Sequence, residues 1–422
     1  MSSRPGSAVS GSDPDTGRPA TAVLLSAWLV ACGYLGYAAW AYYAGYRDAA
    51  RGGIPLFTDF TPNYAASLLL QDEPAERLFD RDRIGAYHLR AAQAAYADRL
   101  APEQTHIVGN TRWMYPPTFN LYLAPLAQFP YLTALLLWTL LTALLYLAPL
   151  TTILPARLAL PLALAAPPAF FNLMYGQTGF LTAGLLALGL CHLRGQPLLA
   201  GVLIGLASFK PHLGVLIPVA LLAGGYWRSF ASAALTVAGG VAVSALVYGT
   251  AAWLAFFGSL GYLLDGFAAN AYNFMPMTSV LATLALAGVP VATAWLVQYA
   301  AAGLMVVLVA ACWWRGRARP DTLGLQAAIV CCATPLALPM VFLYDLCLLV
   351  PAVAWTWRQL PADGAGAAER AALLATLGAF LAVKAVAESV GLQLGALLVA
   401  LLLAQILRRY RLALALPQEV GR

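Results

Sequence analysis

Residues 198–227 read LLAGVLIGLASFKPHLGVLIPVALLAGGYW, two apolar runs separated by the polar break Lys210-Pro211-His212. Each run is shorter than the ~20 residues of a straight membrane crossing, which is typical of broken helices buried within a membrane protein. Proline lacks a backbone N–H and interrupts a helix. Inserting a lysine among apolar residues costs about 2.5–3.5 kcal/mol, so such a lysine normally has a partner or a function. The stretch therefore predicts a helix, a turn at Lys210 and a second helix.

The basic residues around this stretch predict which way it faces. Arg194 and Arg228 flank the two runs, and short loops rich in arginine face the cytoplasm. The turn at Lys210 must then lie on the opposite, extracytoplasmic side. Arg319 and Arg358 place the turn within 335–345 on that same side by the same argument.

The whole chain follows this pattern. It has about twelve apolar segments, some as long as the ~20 residues of a straight crossing and others shorter. About twelve crossings with both termini in the cytoplasm place the arginines of the short connections inside. We therefore predict an all-α polytopic membrane protein with about 10–13 transmembrane helices, several of them broken or short. The candidate spans are 21–46, 131–153, 158–173, 178–193, 198–209, 213–227, 229–249, 290–313, 322–338, 341–357, 371–387 and 390–407.

The composition supports this fold class and excludes others. Hydrophobic residues make up 61% of the 422 residues and charged residues only 10%, with a mean hydropathy of +0.73. Soluble domains carry about 25% charged residues, so this chain cannot cover a soluble surface. The net charge of +6 does not indicate a nucleic-acid partner, because the basic residues are spread singly between apolar runs.

The polar segments define the domain organisation. Residues 1–20 are rich in Ser, Gly, Asp and Pro, which predicts a disordered cytoplasmic tail. Residues 21–422 form a single integral membrane domain. Within it, 47–130 is a long extracytoplasmic loop whose helical spacing over 81–100 predicts an amphipathic helix at the bilayer surface.

The sequence contains no motif for a metal or a nucleotide. All six cysteines lie in apolar runs without CxxC spacing, and P-loop, HExxH and nucleophile-elbow patterns are absent. We therefore expect no cofactor and no metal.

Asp59, about a dozen residues beyond the first span, is the first candidate for chemistry. A carboxylate among aromatic residues at an apolar boundary is poorly solvated, which raises its pKa and suits a general base. The alternative is a helix N-cap, because Thr61-Pro62 follows as a typical helix start.

Two lone charges in apolar segments are the next candidates. Lys210 can hold an anionic phosphate at its helix break, with His212 beside it, or can extend its ammonium to the interface. Asp345 can orient a substrate hydroxyl, or can pair with Lys210 or Lys384. Lys384 and Glu388, four residues apart, are interpreted as a structural ion pair.

Two polar turns complete the set of candidates. Gln177 lies at an outer helix connection where its amide can bind sugar hydroxyls, or can simply complete a polar turn. Arg112 precedes Trp113 and Tyr115 and can bind phosphate as a planar fork, although aromatic residues here are also ordinary interface anchors.

Several segments, taken together and in order, resemble glycosyltransferase family 87, a group of polyprenyl-phosphate-sugar-dependent bacterial enzymes of the GT-C fold. The resemblance covers about 50–360. The segments are Phe57-Thr58-Asp59-Phe60, Tyr64-Ala65-Ala66, Tyr115-Pro116-Pro117, Pro125-Leu126, Gly176-Gln177, Ala200-Gly201 through Gly205-Leu206 to Lys210-Pro211, and Tyr344-Asp345-Leu346.

The resemblance implies Asp59 as the general base, Lys210-Pro211 near the lipid phosphate, and Tyr344-Asp345 and Tyr64 at the substrate site. One departure concerns 334–339, where TPLALP replaces an expected Ser-Pro-His-like run.

The function expected from the resemblance is inverting transfer of a hexose, with mannose expected, from a polyprenyl-phosphate donor. The acceptor is a hydroxyl of a lipid or glycan, on the outer face of a bacterial plasma membrane. The alternative is a transporter or flippase for a lipid-linked saccharide, since broken helices with lone charges also mark transporter sites.

Overall fold

The computed structural model describes residues 18–49, 59–96, 112–268, 274–362 and 364–416. These ranges contain α-helices and short 3-10 turns, and the β-pairing within them is limited to an isolated antiparallel bridge between Met277 and Phe342. The all-α prediction is therefore confirmed. The helices are α1 (Arg18–Ala49), α2 (Phe60–Asp72), α3 (Arg81–Tyr96), α4 (Pro117–Leu123), α5 (Tyr131–Ile153), α6 (Ala156–Ala165), α7 (Pro167–Tyr175), α8 (Gly179–His192), α9 (Pro197–Leu206), α10 (Ile217–Gly224), α11 (Trp227–Tyr248), α12 (Thr250–Ala268), α13 (Val280–Leu286), α14 (Val291–Gly316), α15 (Leu323–Ala337), α16 (Leu349–Arg358), α17 (Gly364–Val390) and α18 (Gly395–Ala415).

The helices fall into long outer ones and short inner ones. Among the described residues, five helices have the length and apolar composition of a membrane span, namely α1, α5, α11, α14 and α17. The pair α6–α7, bent by 61°, makes a sixth if it counts as one crossing. The outer helices expose large apolar side chains, such as Leu246 at 85% and Leu296 at 69%, which is the pattern of lipid-facing surfaces. In contrast, α15 is buried at every residue from Leu325 to Ala337. A multi-pass membrane protein is the architecture that this distribution defines.

The break predicted at Lys210 is present. Helix α9 ends at Leu206, and 3-10 turns over Ala207–Phe209 and Pro211–Gly214 lie on either side of Lys210, whose backbone has φ −128° and ψ 70°. Proline cannot donate the hydrogen bond that would continue the helix, so the chain restarts as α10 at Ile217. The shortness of both apolar runs therefore reflects a true interruption.

The polar loop is folded onto the bundle. Helix α2 buries most of its residues, and α3 buries Ile84, Ala91 and Ala92, which confirms the helix predicted in this region. Parts of the loop, 50–58 and 97–111, lie outside the described residues. Of the expected disordered tail, 1–17 also lie outside them, whereas 18–20 already belong to α1, because the apolar helix extends one turn upstream of the predicted start.

Candidate functional site

The site is built where three interrupted helices and the start of α2 meet. The first interruption separates α7 from α8 at Gly176, whose φ of +62° is a left-handed conformation that favours glycine. A Cβ there would also lie 2.8 Å from the Cβ of Phe60, at the start of α2. The side-chain oxygen of Asn172 accepts a hydrogen bond from the Gly179 N–H at 2.7 Å and so fixes the first turn of α8. These constraints hold Gln177 and Thr178 between two helix ends.

Asp59 is bound directly to this turn. The amide Nε2 of Gln177 donates to Oδ2 of Asp59 at 3.2 Å, although the two residues are 118 positions apart in the chain. The Oε1 of the same amide accepts from the backbone N–H of Thr178 at 3.0 Å, which orients it. Asp59 occupies the N-cap position of α2 but makes no side-chain cap hydrogen bond. The N-cap interpretation therefore accounts for its place in the sequence but not for its contact.

Lys210 lies next in the same chain of contacts. Its Nζ donates to Oγ1 of Thr178 at 3.3 Å and to Oδ1 of Asp345 at 2.6 Å. The other carboxylate oxygen of Asp345 accepts from the Phe342 backbone N–H at 3.1 Å. The side chains of Lys210 and Asp345 are 6% and 1% exposed, so the pair is shielded from solvent. The predicted pairing of the two lone charges is present. It joins the second interruption, between α9 and α10 at Lys210, to the third, between α15 and α16 at Asp345.

The third interruption, between α15 and α16, touches the first one closely. A Cβ on Gly179 would overlap the carbonyl oxygen of Tyr344, at a separation that no side chain tolerates. Only a glycine at the start of α8 lets the two chain segments approach in this way. The contact keeps Asp345 within reach of Lys210.

Together these contacts form one polar chain, which we define as Asp59, Gln177, Thr178, Lys210 and Asp345. Its members are buried except Asp59, which is half-buried at the end of the chain. Burial raises the pKa of the Asp59 carboxyl above its usual value. The hydrogen bond from Gln177 and the charges of Lys210 and Lys384 partly offset this rise. A carboxyl with a raised pKa that is held by a neutral amide is well suited to accept a proton.

Aromatic rings line the lysine end of the polar chain. The Nζ of Lys210 lies 5.0 Å from the centroid of the Tyr344 ring. The ring of Tyr175 meets that of Tyr344 edge-on at 6.5 Å. Lys384 donates from Nζ to the Tyr175 hydroxyl at 2.9 Å, whereas its distance to Glu388 is 3.9 Å. The interpretation of Lys384 as simply a partner of Glu388 is therefore incomplete.

The remaining predicted residues lie outside the polar chain. His212 is half-buried beside the Lys210–Asp345 pair, whose charges act on its ring. Tyr64 is 5% exposed, and its hydroxyl donates to the Phe129 carbonyl at 2.8 Å. Its ring packs edge-on against Tyr131, so its contacts are those of the aromatic core. Arg112 is exposed, at the start of the segment that leads into α4.

Two contributors were not predicted as site residues. Thr178 bridges the Gln177 amide and the Lys210 ammonium, and only the polar run after Gly176 indicated it. Tyr115 lies near enough for the charges of Lys210, Asp345 and Asp59 to act on its phenol, whose pKa is raised chiefly by burial. The motif Tyr115-Pro116-Pro117 contains this tyrosine but gives it no role.

The described ranges offer no evident metal site. No group of three or more His, Cys, Asp or Glu side chains in those ranges could hold a metal ion. What the polar chain offers is a proton acceptor at one end and a paired ammonium at the other. The fold and this site define a polytopic membrane protein with a buried acid–amide–ammonium constellation.

A sequence model of glycosyltransferase family 87 matches residues 113–340, more than half of the chain. The chain belongs to glycosyltransferase family 87 and is therefore a membrane glycosyltransferase. The matched segment contains Gln177, Lys210 and His212, whereas Asp59 precedes it and Asp345 follows it. No curated protein and no solved structure shows significant similarity to this chain.

Proposed function

We propose that the protein transfers a hexose, with mannose as the expected sugar, from a polyprenyl-phosphate donor to a hydroxyl of a lipid or glycan acceptor. The reaction takes place at the extracytoplasmic face of a bacterial plasma membrane. The observation that carries the proposal is the polar chain, because it joins a proton-accepting carboxylate to a cation through two fixed hydrogen-bonding groups. Family membership supports glycosyl transfer as the reaction class.

The proposed step is a single displacement. The acceptor oxygen attacks the anomeric carbon, its proton passes to the Asp59 carboxylate, and the bond between the anomeric carbon and the phosphate oxygen breaks. The electron pair of that bond leaves with the polyprenyl phosphate, so the configuration at the anomeric carbon inverts. Holding both substrates at the polar chain removes much of the entropic cost of a reaction between two molecules.

The leaving phosphate requires stabilisation by fixed positive groups. Lys210 supplies an ammonium, and Asp345 and Tyr344 hold it in one position. An ammonium that is already oriented needs no reorganisation as charge develops on the leaving oxygen. Asp345 and Tyr344 act here as positioning residues, and Gln177 does the same for Asp59.

A flippase remains the rival, since it also needs a buried polar path for the sugar head group. It has no need of a proton acceptor, however, and the carboxylate at the end of the polar chain then lacks a function. Family membership also favours transfer over transport.

The test is incorporation of label from polyprenyl-phosphate-mannose into membrane lipid extract by the purified protein in lipid nanodiscs. We expect the Asp59→Asn variant to lose about 10²–10⁴ of its activity, the usual contribution of general-base catalysis. Asp72→Asn is a matched control in the same helix, because Asp72 is exposed and paired with Arg90; it should transfer at the normal rate.

Near-normal transfer by a folded Asp59→Asn variant would refute the assignment of the base. Absence of transfer by the unmodified protein, together with movement of the labelled lipid across sealed vesicles, would establish the flippase instead. Donors carrying other hexoses, tested in parallel, decide the sugar.

A further inference from the structure

We propose that Lys384 is a second anion-binding residue of the donor site and contacts the lipid phosphate at the membrane-facing seam where α7 packs between α1 and α17. The inference rests on the proposed function, because it names where that donor's phosphate binds. It differs from the sequence-based interpretation, in which Lys384 only neutralises Glu388.

The first reason is that Lys210 has little free charge to offer. Its ammonium lies 2.6 Å from Asp345, and both side chains are almost fully buried. A buried ion pair of this kind is strongly coupled, and separating its members is costly. A phosphate that approaches Lys210 therefore meets an ammonium whose charge Asp345 largely balances. Lys210 can still donate a hydrogen bond to the leaving oxygen, but a second cation is needed to balance the charge of the lipid phosphate.

The second reason is that Lys384 has charge available. Its side chain is 43% exposed, and its near partner at 2.9 Å is the uncharged hydroxyl of Tyr175. Glu388 lies 3.9 Å away, beyond hydrogen-bond distance, and is itself 56% exposed, so its hold on the ammonium is weak. A phosphate oxygen can bind this ammonium without breaking a buried pair.

The third reason is that Lys384 belongs to the same site as the polar chain. The hydroxyl it contacts is on Tyr175, whose ring meets Tyr344, and the Tyr344 ring covers Lys210. Two ammonium groups are thus linked through two aromatic rings. The charge of Lys384 also acts on the Asp59 carboxyl, which places the lysine within electrostatic range of the proposed base.

The fourth reason is the surface around Lys384. Helix α7 packs between α1 and α17, with Tyr34 of α1 stacked on Phe170 at 4.5 Å and Tyr42 bonded to the Met174 carbonyl at 3.1 Å. On either side of this seam the outer helices expose apolar side chains, including Trp40 at 60% and Leu381 at 48%. An anionic head with a long isoprenoid tail fits this pattern, because the tail can lie on the apolar faces while the phosphate meets the ammonium.

The experiment measures binding of geranylgeranyl phosphate to the full-length protein in nanodiscs. Replacing Lys384 with Met should weaken binding by about 10- to 100-fold, the effect of losing one charge-assisted hydrogen bond. Lys384→Arg should restore most of the affinity, and Glu388→Gln, the matched control, should leave binding unchanged or tighter. In the transfer assay, Lys384→Met should raise the KM for the donor while changing kcat little.

Three outcomes overturn the inference: equal binding of geranylgeranyl phosphate by Lys384→Met and the unmodified protein, equal competition by phosphatidylglycerol, or the same loss for uncharged geranylgeraniol. The last result would show that the substitution damages packing and does not remove an anion contact. Asp59→Asn should bind the probe at least as tightly as the unmodified protein, because it removes a negative charge near the site and keeps Lys384. If binding of geranylgeranyl phosphate depends on Lys384 but the protein has no transfer activity, the proposed function is refuted and this inference stands.

Discussion

Asp59 lies at a helix start, but its carboxylate is used for a long-range contact. It stands at the start of α2, where aspartate commonly caps the first turn, but its carboxylate instead accepts from Gln177 across the molecule. Its pKa is raised by burial, and the Gln177 hydrogen bond lowers it because that bond stabilises the charged form. The pKa of the proposed base is therefore adjusted by a neutral side chain on another helix connection.

Replacing Gln177 with Leu should move the pH dependence of transfer. The base works only when deprotonated, so activity falls as the pH drops through the raised pKa of Asp59. Without the amide, that pKa rises further, and the acid limb of the kcat/KM profile should shift to higher pH.

The profile is measured for the variant, the unmodified protein and Gln196→Leu. Gln196 is an exposed glutamine in the turn after α8, remote from Asp59 in the fold, and provides a control of the same residue type. An acid limb that stays in place, or moves to lower pH, in Gln177→Leu would contradict the role given to the amide.

The candidate residues could be picked out from the sequence only where a charge stands against an apolar background. Lys210 and Asp345 did so, and their pairing was among the alternatives that the sequence left open. Thr178 and Tyr175 did not, because a threonine or tyrosine in a helix connection has many ordinary roles. Their function as bridges depends on contacts between residues far apart in the chain, which no local pattern encodes.

Helix interruptions are the elements that create the site. Each of the three brings polar backbone and side-chain groups to a depth where continuous helices would present only apolar side chains. The interruption after α7 is the most constrained, because Gly176 has a left-handed backbone and a Cβ added there would lie within 3.0 Å of both Phe60 and Leu135. The position of Gln177 follows directly from this turn.

Gly176→Ala should therefore lower the free energy of unfolding by about 1–3 kcal/mol, the cost of forcing an L side chain into this conformation. Transfer should fall as well, because the turn that carries Gln177 and Thr178 has to move. Thermal unfolding in detergent and the transfer assay measure the two effects.

Gly378→Ala is the control for this substitution. Gly378 lies inside α17, and a Cβ added there would have nothing within 4 Å, so alanine should be neutral or slightly stabilising. A Gly176→Ala variant as stable and as active as Gly378→Ala would show that the turn tolerates a side chain.

Helix ends were the least predictable elements. The apolar run 341–357 predicted one continuous crossing, whereas in the structure a 3-10 turn covers Asp345–Leu348 and α16 begins only at Leu349. Apolar composition identifies such helices but not where they stop, since buried helices are apolar on every side. Proline and glycine marked the breaks after α7 and α9 because they act on the backbone directly.

The whole molecule has two chemically different ends. The polar chain lies at the start of α8. This helix has 14 residues and is about 20 Å long, and the polypeptide reaches the turn of Arg194 at its other end. Arginines at that end satisfy helix carbonyls, as Arg317 does for Leu222 and Ala223 and Arg319 for Leu414. The sequence analysis predicted that the arginines of the short connections and the turn at Lys210 lie on opposite sides of the membrane. The position of these arginines at the far end of α8 agrees with that prediction.

This arrangement predicts the result of cysteine labelling with a membrane-impermeant maleimide, in a background where the exposed Cys32 is serine. Gln93→Cys, on the exposed face of α3, should be labelled in intact cells. Gln196→Cys, in the turn after α8, should be labelled only after the membrane is permeabilised. The reverse pattern would invert the topology and place the polar chain on the cytoplasmic side.

The Lys210–Asp345 pair has a consequence for how the protein is made. Its two members are 135 residues apart. A ribosome adding about 5–20 residues per second therefore exposes the lysine for roughly 7–27 s before its aspartate is synthesised. During that interval the helical hairpin bearing the lysine lacks its charge partner, at a cost of about 2.5–3.5 kcal/mol on insertion scales. The arrival of the later hairpin removes this cost, so the first hairpin reaches its full stability only when the second is in place.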